Sequence, residues 1–295
     1  MSTGNQDAPY QRPDPLAIFP LVARRPLQGL PSKVISHNST YEFYGPFDQT
    51  QLAVSASEYI VSRSDASRKT ISAELNRFLT VAAQDCYRTA SPADRSDIIQ
   101  SCWLTIRAYS ATYEFKQPRW HRDGRMFDCT CFERTIPHSK YAFTLLGPST
   151  LALSPSAQLD EAFDTARRVW QEDNRDLLEK SWKEGIQSQI RLSEKERPFL
   201  IERLRKFDPV PLKPTQIIRF SWGQPDSPVH SEPDSSATDR ISSVFYLGVK
   251  KKSKICAKSE KRSTVRKKIN LRGEKPKKKR KVTPEGKNVE QGLVM

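Results

Sequence analysis

No stretch of this 295-residue chain approaches the roughly 18 consecutive apolar residues that a membrane span needs. The best run, Ala142 to Leu153, is interrupted at Gly147-Pro148, so no membrane span is expected. The opening residues, MSTGNQDAPYQRPDP, carry neither a basic n-region nor an apolar h-region, and no secretory signal is expected. Cysteine is scarce: five residues, an odd number, point to reduced thiols in an intracellular compartment rather than to a disulfide framework. There is no internal repeat, and no regular alternation of strands with helices that would argue a doubly wound parallel sheet. Aromatic residues, which would stack on bases, are absent after Lys250.

Positive charge is abundant but local. Lys and Arg number 49 against 34 Asp and Glu, a net of +15. The segment Lys250 to Lys287 alone holds 18 basic and 3 acidic residues, again +15, so the rest of the chain balances. This describes an ordinary globular body, residues 36–248, carrying a basic tail, 249–295. The tail has too few apolar residues to bury a core and is expected to be disordered. Within it, Pro276 to Val282 reads PKKKRKV, identical to the prototype viral monopartite nuclear import signal. A nuclear import receptor is therefore an expected partner and the nucleus the expected location, the cytoplasm otherwise. The bland alternative is a solvated polybasic tail that makes weak, salt-sensitive phosphate contacts with nucleic acid.

Along the body, six prolines within residues 1–35 deny a helix or central strand and suggest an extended lead-in. Ile71, Leu75, Phe78, Leu79 and Ala82 fall at helical spacing between Asp65 and Tyr87, and a second helix is expected to start near Pro92. Trp103 to Phe115 reads as a strand, and Lys140–Leu146 with Thr150–Leu153 as a strand pair broken at Gly147-Pro148. Residues 158–207 read as a helical insertion, with Leu159, Phe163, Ala166, Trp170, Leu177 and Trp182 on one broad face. Strands resume at Gln216–Trp222 and Arg240–Leu247. The expected fold is mainly β with flanking helices, a sandwich or barrel interrupted by the insertion.

The candidate chemistry concentrates in two places. On a strand, His121-x-Asp123 projects an imidazole and a carboxylate from one face, close enough to take adjacent positions on one metal. His230, from a distant strand, would complete a two-histidine, one-carboxylate facial triad, a donor set suited to iron(II) with open coordination positions. Arg240 and Ser242 share a strand face, and a guanidinium with a neighbouring hydroxyl can grip a carboxylate. A rival metal set is His121, Cys129, Cys131 and His138, which would suit tetrahedral zinc, although one residue rather than two separates the cysteines.

The ordered set His-x-Asp, His, Arg-x-Ser, carried by His121, Asp123, His230, Arg240 and Ser242, resembles that of the iron(II)/2-oxoglutarate-dependent dioxygenases. More narrowly, RWHRDGRMF, KYAFTLLGPSTLAL and VHSEPDSSATDRISSVFY look like fungal dioxygenase-like proteins. The resemblance covers roughly residues 100–248 and implies a double-stranded β-helix (jelly-roll) core. It further implies Fe(II) on the first three residues and the distal carboxylate of 2-oxoglutarate on Arg240 and Ser242. The activity implied is oxidation of a substrate by O2 with conversion of 2-oxoglutarate to succinate and CO2. The alternative is a non-catalytic jelly roll or zinc-stabilised binding module acting as a nuclear adaptor. In such folds the substrate is set by variable loops, here with the insertion.

Overall fold

The computed structural model describes residues 13–19, 28–90, 101–123, 138–222 and 226–248. Among the described residues there are eight strands: β1 (Leu16–Phe19), β2 (Ser39–Pro46), β3 (Ser101–Tyr109), β4 (His138–Leu146), β5 (Leu151–Ala152), β6 (Ile217–Trp222), β7 (His230–Ser231) and β8 (Arg240–Gly248). Five helices accompany them: α1 (Gln49–Arg63), α2 (Arg68–Thr89), α3 (Ala157–Asp173), α4 (Arg175–Glu184) and α5 (Ile186–Leu204). Helices hold more residues than strands, so the fold is mixed α/β rather than mainly β. The two helices before β3 and the three of the insertion outweigh the strands.

Six strands form one open sheet in the order β1-β6-β4-β8-β3-β2, with every pairing antiparallel. β1, flanked by Pro15 and Pro20, takes an edge, the place where a strand tolerates proline neighbours. β5 and β7 pair in a separate two-stranded ladder. The expected pairing of Lys140–Leu146 with Thr150–Leu153 is therefore corrected: β4 and β5 are consecutive but belong to different sheets. The chain changes sheet at Gly147, whose φ is +79°. A Cβ there would lie 2.4 Å from the carbonyl oxygen of Asp239, at the start of β8. Gly147→Ala therefore combines backbone strain with a backbone clash. It is expected to lower unfolding stability by more than about 1 kcal/mol in urea titration.

Period-two alternation sorts β8 and β4 into two faces. Ile241, Phe245 and Leu247 on β8, with Tyr141, Phe143 and Leu145 on β4, pack against α1 and α2 in the main core. The face opposite carries Arg240 and Ser242 on β8 and Lys140, Ala142 and Thr144 on β4, with Thr144 directly across from Ser242. α1 is capped by Asp48, which accepts from the Gln51 amide at 2.9 Å, and buries Leu52, Ala53, Ala56 and Ile60. α2 begins at Arg68 and buries the expected Ile71, Leu75, Phe78, Leu79 and Ala82.

The helical stretch of the insertion comprises three helices. Asn174 and Gly185, the latter at φ +91°, separate them, so a single face cannot continue through all six expected positions. Leu159, Phe163, Ala166 and Trp170 are buried on α3, whereas Leu177 on α4 is exposed. α3 and α5 pack over Trp120, Leu153 and Val229, which brings the insertion against the smaller ladder. The strand read as Trp103–Phe115 ends at Tyr109 and is followed by a single 3-10 turn, Tyr113–Phe115. The helix expected near Pro92, the Cys129–Cys131 pair and the tail from Lys250 lie outside the described residues. Among the described residues, no helix is long and apolar enough to cross a membrane.

Candidate metal centre

The centre begins with two backbone hydrogen bonds. His121 N donates to His230 O and His230 N donates to His121 O, both at 2.9 Å. Residues that exchange both bonds in an antiparallel pair face each other directly, with side chains on one side. The two imidazole rings accordingly lie 4.3 Å apart between centroids. Asp123, two residues beyond His121, projects to the same side. Its Oδ2 is 3.4 Å from His230 Nε2 and its Oδ1 4.0 Å from His121 Nε2. One ligand atom from each of the three lies within 4.8 Å of the others, so His121, Asp123 and His230 could together hold a metal ion.

The chemistry of the donors fits a metal. Each Nδ1 sits against a backbone carbonyl: His121 at 2.7 Å from Arg119 O and His230 at 3.0 Å from Pro228 O. A carbonyl only accepts, so Nδ1 carries the hydrogen and Nε2 presents its lone pair to the centre. Burial, and then the neighbouring His230, push the His121 pKa down to about 4, which keeps that ring neutral and able to ligate. Burial raises the pKa of Asp123, but the Lys140 ammonium and His230 overcome it and hold the carboxyl well below its usual range. The donor set is thus two imidazole nitrogens and one carboxylate, appropriate to iron(II) or zinc.

Four further side chains belong to the site and were not singled out from sequence. Lys140, buried on β4, places Nζ 2.6 Å from Asp123 Oδ2 and 3.2 Å from His230 Nε2. Arg119 and Glu232, each two residues from a triad histidine on the outer side of the His121–His230 pair, form a cross-strand ion pair. Burial raises the Glu232 pKa, yet His121 and Arg119 carry it down to about 2. The period-two patterns Arg119-x-His121-x-Asp123 and His230-x-Glu232 are the signal that could have found these two. Phe220 floors the centre from β6, stacked on His230 at 4.8 Å and 5.4 Å from Lys140 Nζ.

The His121–Asp123 segment is also tied to the insertion. Arg122, between the two ligands, reaches Asp160 at 2.6 Å and Asp164 at 2.9 Å on α3 and lies over the Phe163 ring. Both carboxylates are substantially exposed, so these pairs orient the segment more than they stabilise the fold.

Arg240 lies on the β8 face opposite the main core and is half-buried. Its Nε donates to Pro148 O at 3.1 Å and its Nη2 to Thr150 Oγ1 at 3.3 Å. Among the described residues it makes no ion pair with a carboxylate. Burial and the nearby Arg107 push its pKa down to about 10, with Glu232 opposing. Ser242 is buried two residues on, beside Thr144. Of the rival zinc set, Cys129 and Cys131 lie outside the described residues, as does the side chain of His138. Compared with models of known protein families the sequence matches none, and no curated protein aligns with it. The functional reading therefore rests on the site.

Proposed function

We propose that the protein is an iron(II)/2-oxoglutarate-dependent oxygenase. The observation that carries this reading is the convergence of His121, Asp123 and His230, with both Nε2 atoms facing the carboxylate and both Nδ1 atoms held by backbone carbonyls. Two features support it. The first is the winding of the chain. β3, β4, β6 and β8 are neighbours in the large sheet. The segments between them pair with one another instead: His121 with His230, β5 with β7, and Leu153 with Pro209. Successive segments that alternate between two facing layers are what a jelly roll requires. The second is charge: Lys140, Arg119 and Arg240 outnumber Asp123 and Glu232, and a divalent cation adds to the excess, so the site favours a dianion such as 2-oxoglutarate.

In this reading His121, Asp123 and His230 hold the iron, and Arg240, a guanidinium with no carboxylate partner among the described residues, takes the distal carboxylate, with Ser242 adding one hydrogen bond. Bound iron(II) supplies the activation of O2 that couples 2-oxoglutarate decarboxylation to substrate oxidation. The chain's part is to fix the imidazole tautomers, seat the dicarboxylate and exclude water with Phe220 and the buried strand face. The balanced reaction is 2-oxoglutarate, O2 and R–H giving succinate, CO2 and R–OH.

Succinate formation from 2-oxoglutarate, dependent on Fe(II) and O2, tests the reading; none above the metal-free control would leave the binding-module alternative. Arg240→Ala should raise the 2-oxoglutarate constant about tenfold or more, the worth of a lost charge-assisted pair, while leaving metal affinity nearly unchanged. Calorimetric titration of the cosubstrate checks this, and unaltered affinity in a folded variant would refute the assignment.

The tail belongs to the same proposal as an address: Pro276 to Val282 engages a nuclear import receptor, and the surrounding lysines add weak contacts with nucleic acid. Alanine at Lys277, Lys278 and Lys279 should move a tagged chain from nucleus to cytoplasm without changing 2-oxoglutarate turnover. Fluorescence microscopy reads the first effect, and a cytoplasmic unmutated chain would remove the nuclear claim.

A further inference from the structure

Lys140 stands where a metal would have to act. Its Nζ, Asp123 Oδ2 and His230 Nε2 form a triangle with sides of 2.6, 3.2 and 3.4 Å. A metal bonded at about 2.1 Å to both acceptors would, by that triangle, lie within about 3.6 Å of Nζ. A carboxylate oxygen has lone pairs for two partners, but an imidazole Nε2 has one. The Nδ1–H of His230 is committed to Pro228 O, so the single remaining lone pair is the one that the Lys140 ammonium approaches. Ammonium and metal cannot both use it. The ammonium is also a like charge to any divalent cation, in a buried setting where screening is weak.

We propose that Lys140 competes with the metal for Asp123 and His230 and so sets the threshold at which the centre loads. This inference rests on the metal-centre reading above. Without metal, Lys140 neutralises Asp123 and keeps the two strand layers joined at the site: β4 supplies the cation and the His121–Asp123 segment the anion. With metal, the Lys140 side chain withdraws from His230, and the ion takes both acceptors. The device makes the empty site stable and raises the metal concentration needed to fill it.

The test titrates Mn(II), a redox-stable probe, into chelator-treated wild type, Lys140→Leu and Lys140→Gln, reading free Mn(II) by electron paramagnetic resonance. Leucine removes the charge without offering a ligand, and glutamine keeps polarity at a buried position should leucine prevent folding, which circular dichroism reports. Both variants should bind Mn(II) about ten- to a hundredfold more tightly than wild type, the range expected when a charge-assisted bond need no longer be broken. Their metal-free melting temperatures should fall, and Mn(II) should raise those temperatures by more than it raises that of wild type. Binding by the variants alone would be the strongest form of support. Equal or weaker binding in the variants than in a wild type that does bind would overturn the competition and leave the metal centre standing. No binding by any of the three would overturn both.

Discussion

Asp123→Ala is expected to abolish metal binding at attainable concentrations, a loss of at least about a hundredfold. Removal of a mere supporting partner of a metal ligand already costs ten- to a hundredfold, and Asp123 is the only anion of the triad. The same substitution strands the buried Lys140 ammonium without its carboxylate. Truncating one partner of a buried pair is worth about 3–5 kcal/mol, so the variant should also unfold at lower urea. The two effects separate: Asp123→Ala combined with Lys140→Leu should regain much of the stability and none of the metal affinity. Mn(II) titration and urea unfolding of the three variants check this. Retained metal affinity in Asp123→Ala would mean that the ion is held elsewhere.

The second large effect lies on the opposite face of the sheet. Asp85 on α2 is buried, accepts a hydrogen bond from Tyr141 Oη at 3.0 Å and forms an ion pair with Arg219 of β6, whose Nε lies 3.2 Å away. The Arg219 guanidinium is itself buried, and its Nη2 donates to Asp14 O at 3.0 Å. Asp85→Ala would leave a buried guanidinium and a buried phenol without their acceptor, a cost of about 3–5 kcal/mol. Replacing the pair with apolar residues, Asp85→Leu with Arg219→Met, should cost much less, because desolvation of the two charges offsets most of their attraction. Chemical denaturation should therefore rank the single variant well below the double. The reverse ranking would mean that the ion pair itself is strongly stabilising.

The legible parts of this molecule are those written in local periodicity. His121 and Asp123 were readable because alternation on a strand puts residues two apart on one side, and α2 because Ile71, Leu75, Phe78 and Ala82 recur at helical spacing. α1 was not read: two of its buried positions are the small Ala53 and Ala56, which give little contrast with their neighbours. β5 lies within the legible strand Thr150–Leu153, but β7 is only two residues, too short for any pattern to mark, and its pairing with β5 depends on the change of sheet at Gly147. Lys140 could not be found from sequence at all. It sits on a different strand layer from Asp123, and only the register of β4 aims its side chain at the carboxylate. The charge balance of the centre was thus hidden while its candidate ligands were not.

The central claim is that His121, Asp123 and His230 are the metal's own ligands. X-ray absorption of the purified protein loaded anaerobically with Fe(II) tests it most directly. The account predicts a shell of only nitrogen and oxygen near 2.0–2.2 Å with the outer-shell scattering of two imidazoles, reduced when His230 is replaced by alanine. Sulfur at about 2.3 Å, as Cys129 and Cys131 would give, or an imidazole signal unchanged in His230→Ala, would contradict it.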